Sequence, residues 1–411
     1  MSEWKKVKLG EISQTIQTGP FGSQLHQSDY SVIGIPVVMP KDIIAGNIEE
    51  ASIARVEQHH IDRLSRHMIS YGDILYARRG DVGKCAFTKQ NQEGWLCGTG
   101  CLRVTINPDM ANPKFVFFQL QKQETIGWIT NHAIGSTMLN LNTTILSNAP
   151  VEIPSLRIQN RIVEILSRYD SLIENYQKQI KLLEEAAQRL YKEWFIDLRF
   201  PGHENTKIVD GVPEGWEKKK LCELFSFVRG KSYTSKELSD EGTIMVNLKN
   251  IQSFGGYKSD VEKHFIGTFK EEQTLMKGDL IMGVTDMTQE RRLVGSVALI
   301  PDFKETATFS MDLIKLISFK LPNIYLYCAM RYGDVSRQIA PLANGVNVLH
   351  LKPEAISNIE MVVASDSIIE KFVSYTSKTI ERILSLQSQL RLLTEARDRL
   401  LPKLMSGEIT I

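Results

Sequence analysis

The sequence predicts an α+β protein assembled from two tandem copies of one unit, each a globular head followed by a long helix. Three observations carry that prediction. Short apolar runs broken by Gly, Pro and Asn fill two separate regions, each region ends in a helical stretch with apolar residues at alternating steps of four and three, and the second region repeats the first about 210 residues later.

The repeat is read from its ends inward. "LLEEAAQRL" from Leu182 answers "LLTEARDRL" from Leu392, an offset of 210 residues. The same offset pairs "GSTMLNLNTTILSNAPVEIP" from Gly135 with "NGVNVLHLKPEAISNIEMVV", so that Gly135 meets Gly345, Leu141 meets Leu351 and Asn148 meets Asn358. "YGDILYARRGDVGKCAF" answers "KGDLIMGVTDMTQERRLVGSVAL", with an insertion ahead of Val294 in the second copy. "WKKVKLGEI" answers "WEKKKLCEL", pairing Trp4 with Trp216.

The elements follow in order. Residues 1–154 form the first head, with strands expected at "IPVVMP", "DILYAR" and "CLRVTI" and a short helix at "NPKFVFFQLQ". Residues 155–200 hold the first helix, whose seam runs through Ile162, Leu166, Tyr169, Ile173, Tyr176, Ile180, Leu183, Ala187, Leu190 and Trp194. Residues 201–364 are the second head, with strands at "GTIMVNL", "DLIMGV" and "LIKLISF". Residues 365–411 are the last helix, its seam at Phe372, Ile383, Leu386, Leu390, Leu393 and Leu400, with Thr376, Thr379 and Arg397 as weaker positions. A helix of about 40 residues rises about 60 Å. Two such helices packed antiparallel would make a coiled-coil spacer between the heads and relate them by a pseudo-twofold axis.

At 411 residues the chain can bury more than one core. A formal net charge of +1 excludes binding to nucleic acid by bulk charge and leaves local basic patches as the route. Cys85, Cys97, Cys101, Cys222 and Cys328 make no disulfide framework, no signal peptide is expected ahead of Trp4, and no apolar run approaches the roughly 20 residues of a membrane span. A cytoplasmic protein away from membranes is expected.

The tandem plan, together with "WKKVKLGEI", "TGPFGSQL" at Thr18 to Leu25, the two Gly-Asp strand openings, "MLNLN" and the closing "LLTEARDRLLPKLMSGEI", resembles the DNA-specificity subunit of type I restriction-modification systems over essentially the whole chain. The resemblance implies a non-catalytic reader of double-stranded DNA. Each head would be a target recognition domain for one half of a bipartite, asymmetric site, and the helices would set the gap between halves. They would also dock two methyltransferase subunits, which use S-adenosylmethionine to modify adenine. Restriction subunits that use ATP and Mg would join through that methylase complex. No cofactor is expected in this chain.

The motifs agree by omission. There is no [ND]-P-P-[YF] tetrapeptide for a flipped adenine and no G-x-x-x-x-G-K-[ST] phosphate loop, and "RGDVGK" at Arg79 reads as a turn. "PDFKE" at Pro301 lacks the Glu-x-Lys of a nuclease, "CGTGC" lacks zinc spacing, "GTGCLR" lacks the third glycine of a dinucleotide fingerprint, and His59, His60 and His67 lie in a polar helical stretch.

DNA contact needs Lys, Arg or backbone N–H groups for phosphates and Arg, Lys, Asn, Gln, Ser or Thr for base edges. Loops of that composition recur at matched places. The first head offers Thr18, Gly19, Phe21, Gly22, Ser23, Lys41, Arg78, Arg79, Lys84, Thr137 and Asn140. The second offers Arg229, Lys231, Ser232, Tyr233, Asn247, Lys249, Asn250, Thr285, Gln289, Arg291, Arg292, Asn347 and His350. For the partner surface the candidates are Arg189, Tyr191, Trp194, Phe195, Arg399 and Leu404. Exposed aromatics beside Arg189 suit an interface core; equally, they could seal the coiled coil against the second head. Three functions stay open: the specificity subunit, a stand-alone bipartite DNA-binding protein, and a coiled-coil protein adaptor.

Overall fold

The structure, a computed structural model, describes residues 4–135, 139–259, 263–288, 290–409 and 411. The chain divides into two compact units, Met1–Arg168 with Arg397–Ile411, and Tyr169–Ala396. Each takes in part of both long helices.

The first unit contains two four-stranded sheets. In one, the order is Ser13–Thr18, Cys101–Ile106, Ile74–Ala77 and Cys85–Phe87, all antiparallel. Cys101–Ile106 alternates buried and half-buried positions, the two-residue period of a strand with one dry face, while Ile74–Ala77 is buried throughout. In the other, Leu96–Cys97, Ile35–Val38, Ala54–Val56 and Tyr30–Ser31 follow in that order, with a parallel pairing only between the first two. Lys5–Lys8 and Pro150–Ile153 close the unit as a separate ribbon. The helix Pro113–Leu120 buries Phe115, Val116 and Leu120 and is capped by Asn112, whose side chain accepts from the N–H groups of Lys114 and Phe115.

The second unit repeats this topology strand for strand. One sheet runs Phe225–Arg229, Leu313–Ser318, Leu280–Gly283 and Val297–Leu299, and the other Ala307–Phe309, Thr243–Val246, Lys263–Phe265 and Leu238–Ser239, with its parallel pair at the matched place. Glu217–Lys220 and Glu360–Val363 form its ribbon.

The Gly-Asp openings have a physical cause that is the same in both units. Gly72 and Gly278 sit at φ of 87° and 85°, where only glycine is unstrained. The aspartate that follows turns its carboxylate back on the chain: Asp73 accepts from Ser70 N at 2.8 Å, and Asp279 from Met276 N at 2.8 Å. A cation on the neighbouring central strand completes each lock, Arg103 at 3.7 Å from Asp73 and Lys315 at 3.7 Å from Asp279. Burial holds the Asp73 carboxyl above its usual range against the pull of these donors.

The first long helix, Leu156–Tyr191, runs into a single wider turn, Lys192–Ile196; the last helix spans Asp366–Met405. In the first unit, Ile162 and Leu166 of the former share a core with Leu404 and Met405 of the latter. In the second unit, Ile173, Ile180 and Ala187 share one with Phe372, Ile383, Leu386 and Leu390. The two helices therefore pair antiparallel within each unit, through most of the expected seam.

Two expectations are corrected. The buried face of the last helix is wider than a heptad seam, taking in Ile369, Ile380, Leu384 and Gln387 as well. It lies against the head and not only against its partner helix, with Gln387 donating to Tyr257 O at 3.3 Å and Arg391 to Phe303 O at 3.0 Å. Tyr191 and Trp194, read either as a partner surface or as a seal of the coiled coil against the second head, are 5 % and 6 % exposed, and Leu404, a partner-surface candidate, is 1 % exposed. Phe372 is the reason for the first two: its ring meets Tyr191, Trp194 and Phe195 at centroid distances of 6.0, 5.8 and 4.9 Å in tilted and edge-on contacts. Phe195 is half-buried against the same core, whereas Arg189 and Arg399 are exposed.

Candidate nucleic-acid interface

Three candidate loops of the first unit meet at the ends of its central strands. Strand Ser13–Thr18 passes into Gly19, whose N–H donates to Cys101 O at 2.9 Å; a Cβ there would lie 2.1 Å from Gly98 O, so only glycine lets the chain leave along this line. Beyond it Phe21 stands exposed with the Arg78 guanidinium 5.8 Å from its ring centre. Gly22 and Ser23 are exposed or nearly so. Arg78 and Arg79 end strand Ile74–Ala77: Arg78 N donates to Gly100 O at 2.7 Å, Leu141 N donates to Arg78 O at 2.8 Å, and Arg79 pairs with Asn140. Ile134 and Asn140 exchange backbone hydrogen bonds of 3.0 and 2.8 Å, which closes the third loop on itself. Lys84 is ion-paired with Asp81 at 3.1 Å, and Thr137 lies outside the described residues.

The second unit brings the matched loops together in the same way. Gly230 takes the place of Gly19, with a Cβ position 2.0 Å from Ser310 O. Lys231 N donates to Phe309 O at 2.8 Å, and Met311 N to Lys231 O at 3.0 Å. Thr285 pairs with His350 as Arg79 pairs with Asn140, and their side chains meet at 3.3 Å between Oγ1 and Nδ1. Asn344 and His350 exchange bonds of 3.1 and 2.9 Å. Ser232 and Asn347 are exposed and Tyr233 half-buried. The inserted loop hangs from Asp286, whose carboxylate accepts from Thr288 N at 2.8 Å and Leu293 N at 2.7 Å. Arg291 within it has φ of 53°, Arg292 is ion-paired with Glu290 at 2.6 Å, and Gln289 lies outside the described residues.

The remaining candidates adjoin or leave this surface. Lys41 stands in a turn packed on Gly98 and Gly100 and donates to Ser52 O at 3.1 Å, and Lys249 occupies the matching turn. Asn247 and Asn250 are buried and hold that turn: Asn247 Oδ1 accepts from Lys249 N at 3.0 Å, and Asn250 Oδ1 accepts from Asn247 N at 2.9 Å. Arg229 is drawn to Glu354 at 2.6 Å.

Three polar atoms at these loops, Arg78 Nε, Asn140 Oδ1 and Arg291 Nε, are buried with no hydrogen-bond partner among the described residues. Leaving such an atom unpaired costs about 1–3 kcal/mol. Sequence reasoning missed Asp286, because a buried anchoring carboxylate has no local signature, and missed the role of Gly98, although the paired glycines of "CGTGC" were its signal.

Elsewhere the chemistry is quiet. Burial pushes the Cys97 thiol up to about 12, and no group of three or more His, Cys, Asp or Glu side chains among the described residues is placed to hold a metal ion. No helix among them is long and apolar enough to cross a membrane.

Residues 1–185 match the family described as Type I restriction modification DNA specificity domain. Over its whole length the chain is similar to the specificity subunits of type I restriction-modification systems. Its relatives include the type I restriction enzyme MjaIX specificity subunit of Methanocaldococcus jannaschii, 26 % identical over 421 residues that take in all of this chain and 94 % of that one. The HindI specificity subunit of Haemophilus influenzae is 22 % identical over the full length of both chains. The fold is that of the type I restriction-modification S subunit from M. genitalium, with a TM-score of 0.62 at 17 % identity, covering 98 % of this chain and 96 % of that one.

Proposed function

We propose that this chain is the specificity subunit of a type I restriction-modification system and that each of its units reads one half of a bipartite, asymmetric duplex site through its three converging loops. The observation that carries this reading is the duplicated junction itself, Arg79 with Asn140 in one unit and Thr285 with His350 in the other, beside the unpaired atoms of Arg78, Asn140 and Arg291. Arg presents the donors that guanine N7 and O6 accept, and Asn the donor and acceptor that adenine complements. Lys41, Lys84, Lys231 and Lys249 supply cations for the flanking phosphates.

The long helices set the gap between halves and, with the exposed Arg189 and Arg399, present a surface to two methyltransferase subunits. S-adenosylmethionine, ATP and Mg act on those subunits and on the restriction subunits they recruit, and this chain supplies the address. The test is methylome sequencing of cells carrying this gene with its neighbouring methylase, against a deletion of this gene alone. Loss of a split, asymmetric methyladenine motif supports the reading; an unchanged methylome refutes it.

A further inference from the structure

The loop surfaces of the two units match in backbone and differ in chemistry. In the second unit, Met287 is 75 % exposed, Met311 53 %, Val346 87 % and Val348 46 %. These four lie on the three laced segments: Met311 next to Lys231, Met287 two residues past the Thr285–His350 pair, and Val346 and Val348 on the turn that Asn344 and His350 close. The matched strand pairs set Thr99 of the first unit against Met311, and the repeat register sets Ser136 against Val346, while Met287 lies in the second unit's insertion. Two polar positions have thus become apolar, and an exposed methionine has been inserted, at one end of one unit beside Lys231, Arg291 and Arg292.

Exposed thioether and isopropyl groups neither bond a phosphate nor read a donor or acceptor. In the major groove the one apolar feature of the standard bases is the C5 methyl of thymine. We propose that the second unit recognises thymine methyl groups through Met311, Val346 and their neighbours, so that apolar contact joins Arg291 in reading its half-site. The inference rests on the DNA-reading function proposed above. It adds the chemical class of base feature that the second unit takes.

The test uses the full chain. Selection from a random duplex pool gives the bound sequence, and uracil then replaces thymine in one half at a time, removing the methyl and leaving every hydrogen-bonding group. Each contacted methyl lost should weaken binding about fourfold, the value of one buried methylene-sized group. The penalty should fall in one half only. The double variant Met311→Thr/Val346→Ser, which restores the first unit's residues, should bind thymine and uracil duplexes alike. Sequence-specific binding with no uracil penalty in either half, or a penalty the variant retains, overturns the inference and leaves the DNA-reading function standing. Absence of any sequence-specific binding overturns both.

Discussion

At the scale of single residues, the side chains that hold the loops are distinct from those placed to touch DNA. Asn247, Asn250 and Asp286 spend their polar atoms on their own turns, whereas Arg78, Asn140 and Arg291 keep an atom in reserve. Arg78→Ala should weaken binding to the selected site by about 1–3 kcal/mol and relax discrimination at one base pair of one half; a titration showing unchanged affinity and specificity would remove the loop from the footprint. Arg291→Ala should do the same for the other half. A second residue-scale prediction concerns acid. His67 is buried, and that burial, with Arg66 and Arg103 nearby, holds its imidazole below the usual value of 6.5. The unfolded chain takes up a proton there as pH falls through about 6.5, and the folded one resists. Stability contributed by the neutral ring is therefore present above that pH and lost below it. The unfolding midpoint of the first unit should drop as pH falls from about 6.5 toward the depressed folded value, and His67→Phe should flatten that slope.

At the scale of elements, the first long helix is fastened to the body of the second unit by a largely buried pair, Arg331 and Glu184. Arg331 reaches Glu184 with both guanidinium nitrogens, at 2.8 and 3.0 Å, and lies between the rings of Tyr327 and Tyr332 at 5.5 and 5.3 Å. Arg331→Met leaves Glu184 buried and unpaired, so denaturant unfolding should show a loss of about 3–5 kcal/mol; Glu184→Gln/Arg331→Met should recover much of it. Removing one heptad from both helices together should preserve folding and shorten the tolerated gap by about three base pairs, from about 10.5 Å of helix at about 3.4 Å per base pair. An unchanged gap would refute the helices as its measure. These helices were legible in the sequence because a seam is local, and the heads were legible because their strands and Gly-Asp turns occur twice. The burial of Tyr191 and Trp194 was legible only as one of two readings, since it depends on Phe372, far along the chain, choosing the same face. The broad inner face of the last helix was hidden for a like reason. A heptad count knows one partner, and this helix has two.

At the scale of the whole molecule, a net charge of +1 means that attraction to DNA comes from local cations and not from the protein's total charge. Affinity should fall linearly with salt on logarithmic axes, and Lys41→Ala or Lys249→Ala should each lower the slope by about 1 without changing the sequence bound. A slope near zero would favour a protein adaptor. The duplicated lock of aspartate and strand cation has one more consequence. Asp73 stands at the start of strand Ile74–Ala77 and Arg78 at its finish, about 16 Å of extended chain apart. What folds the unit and what we propose meets the DNA thus occupy opposite ends of one strand. Loop substitutions can accumulate at the far end while the lock stays intact, so a lineage can drift to a new recognition sequence without passing through an unstable ancestor.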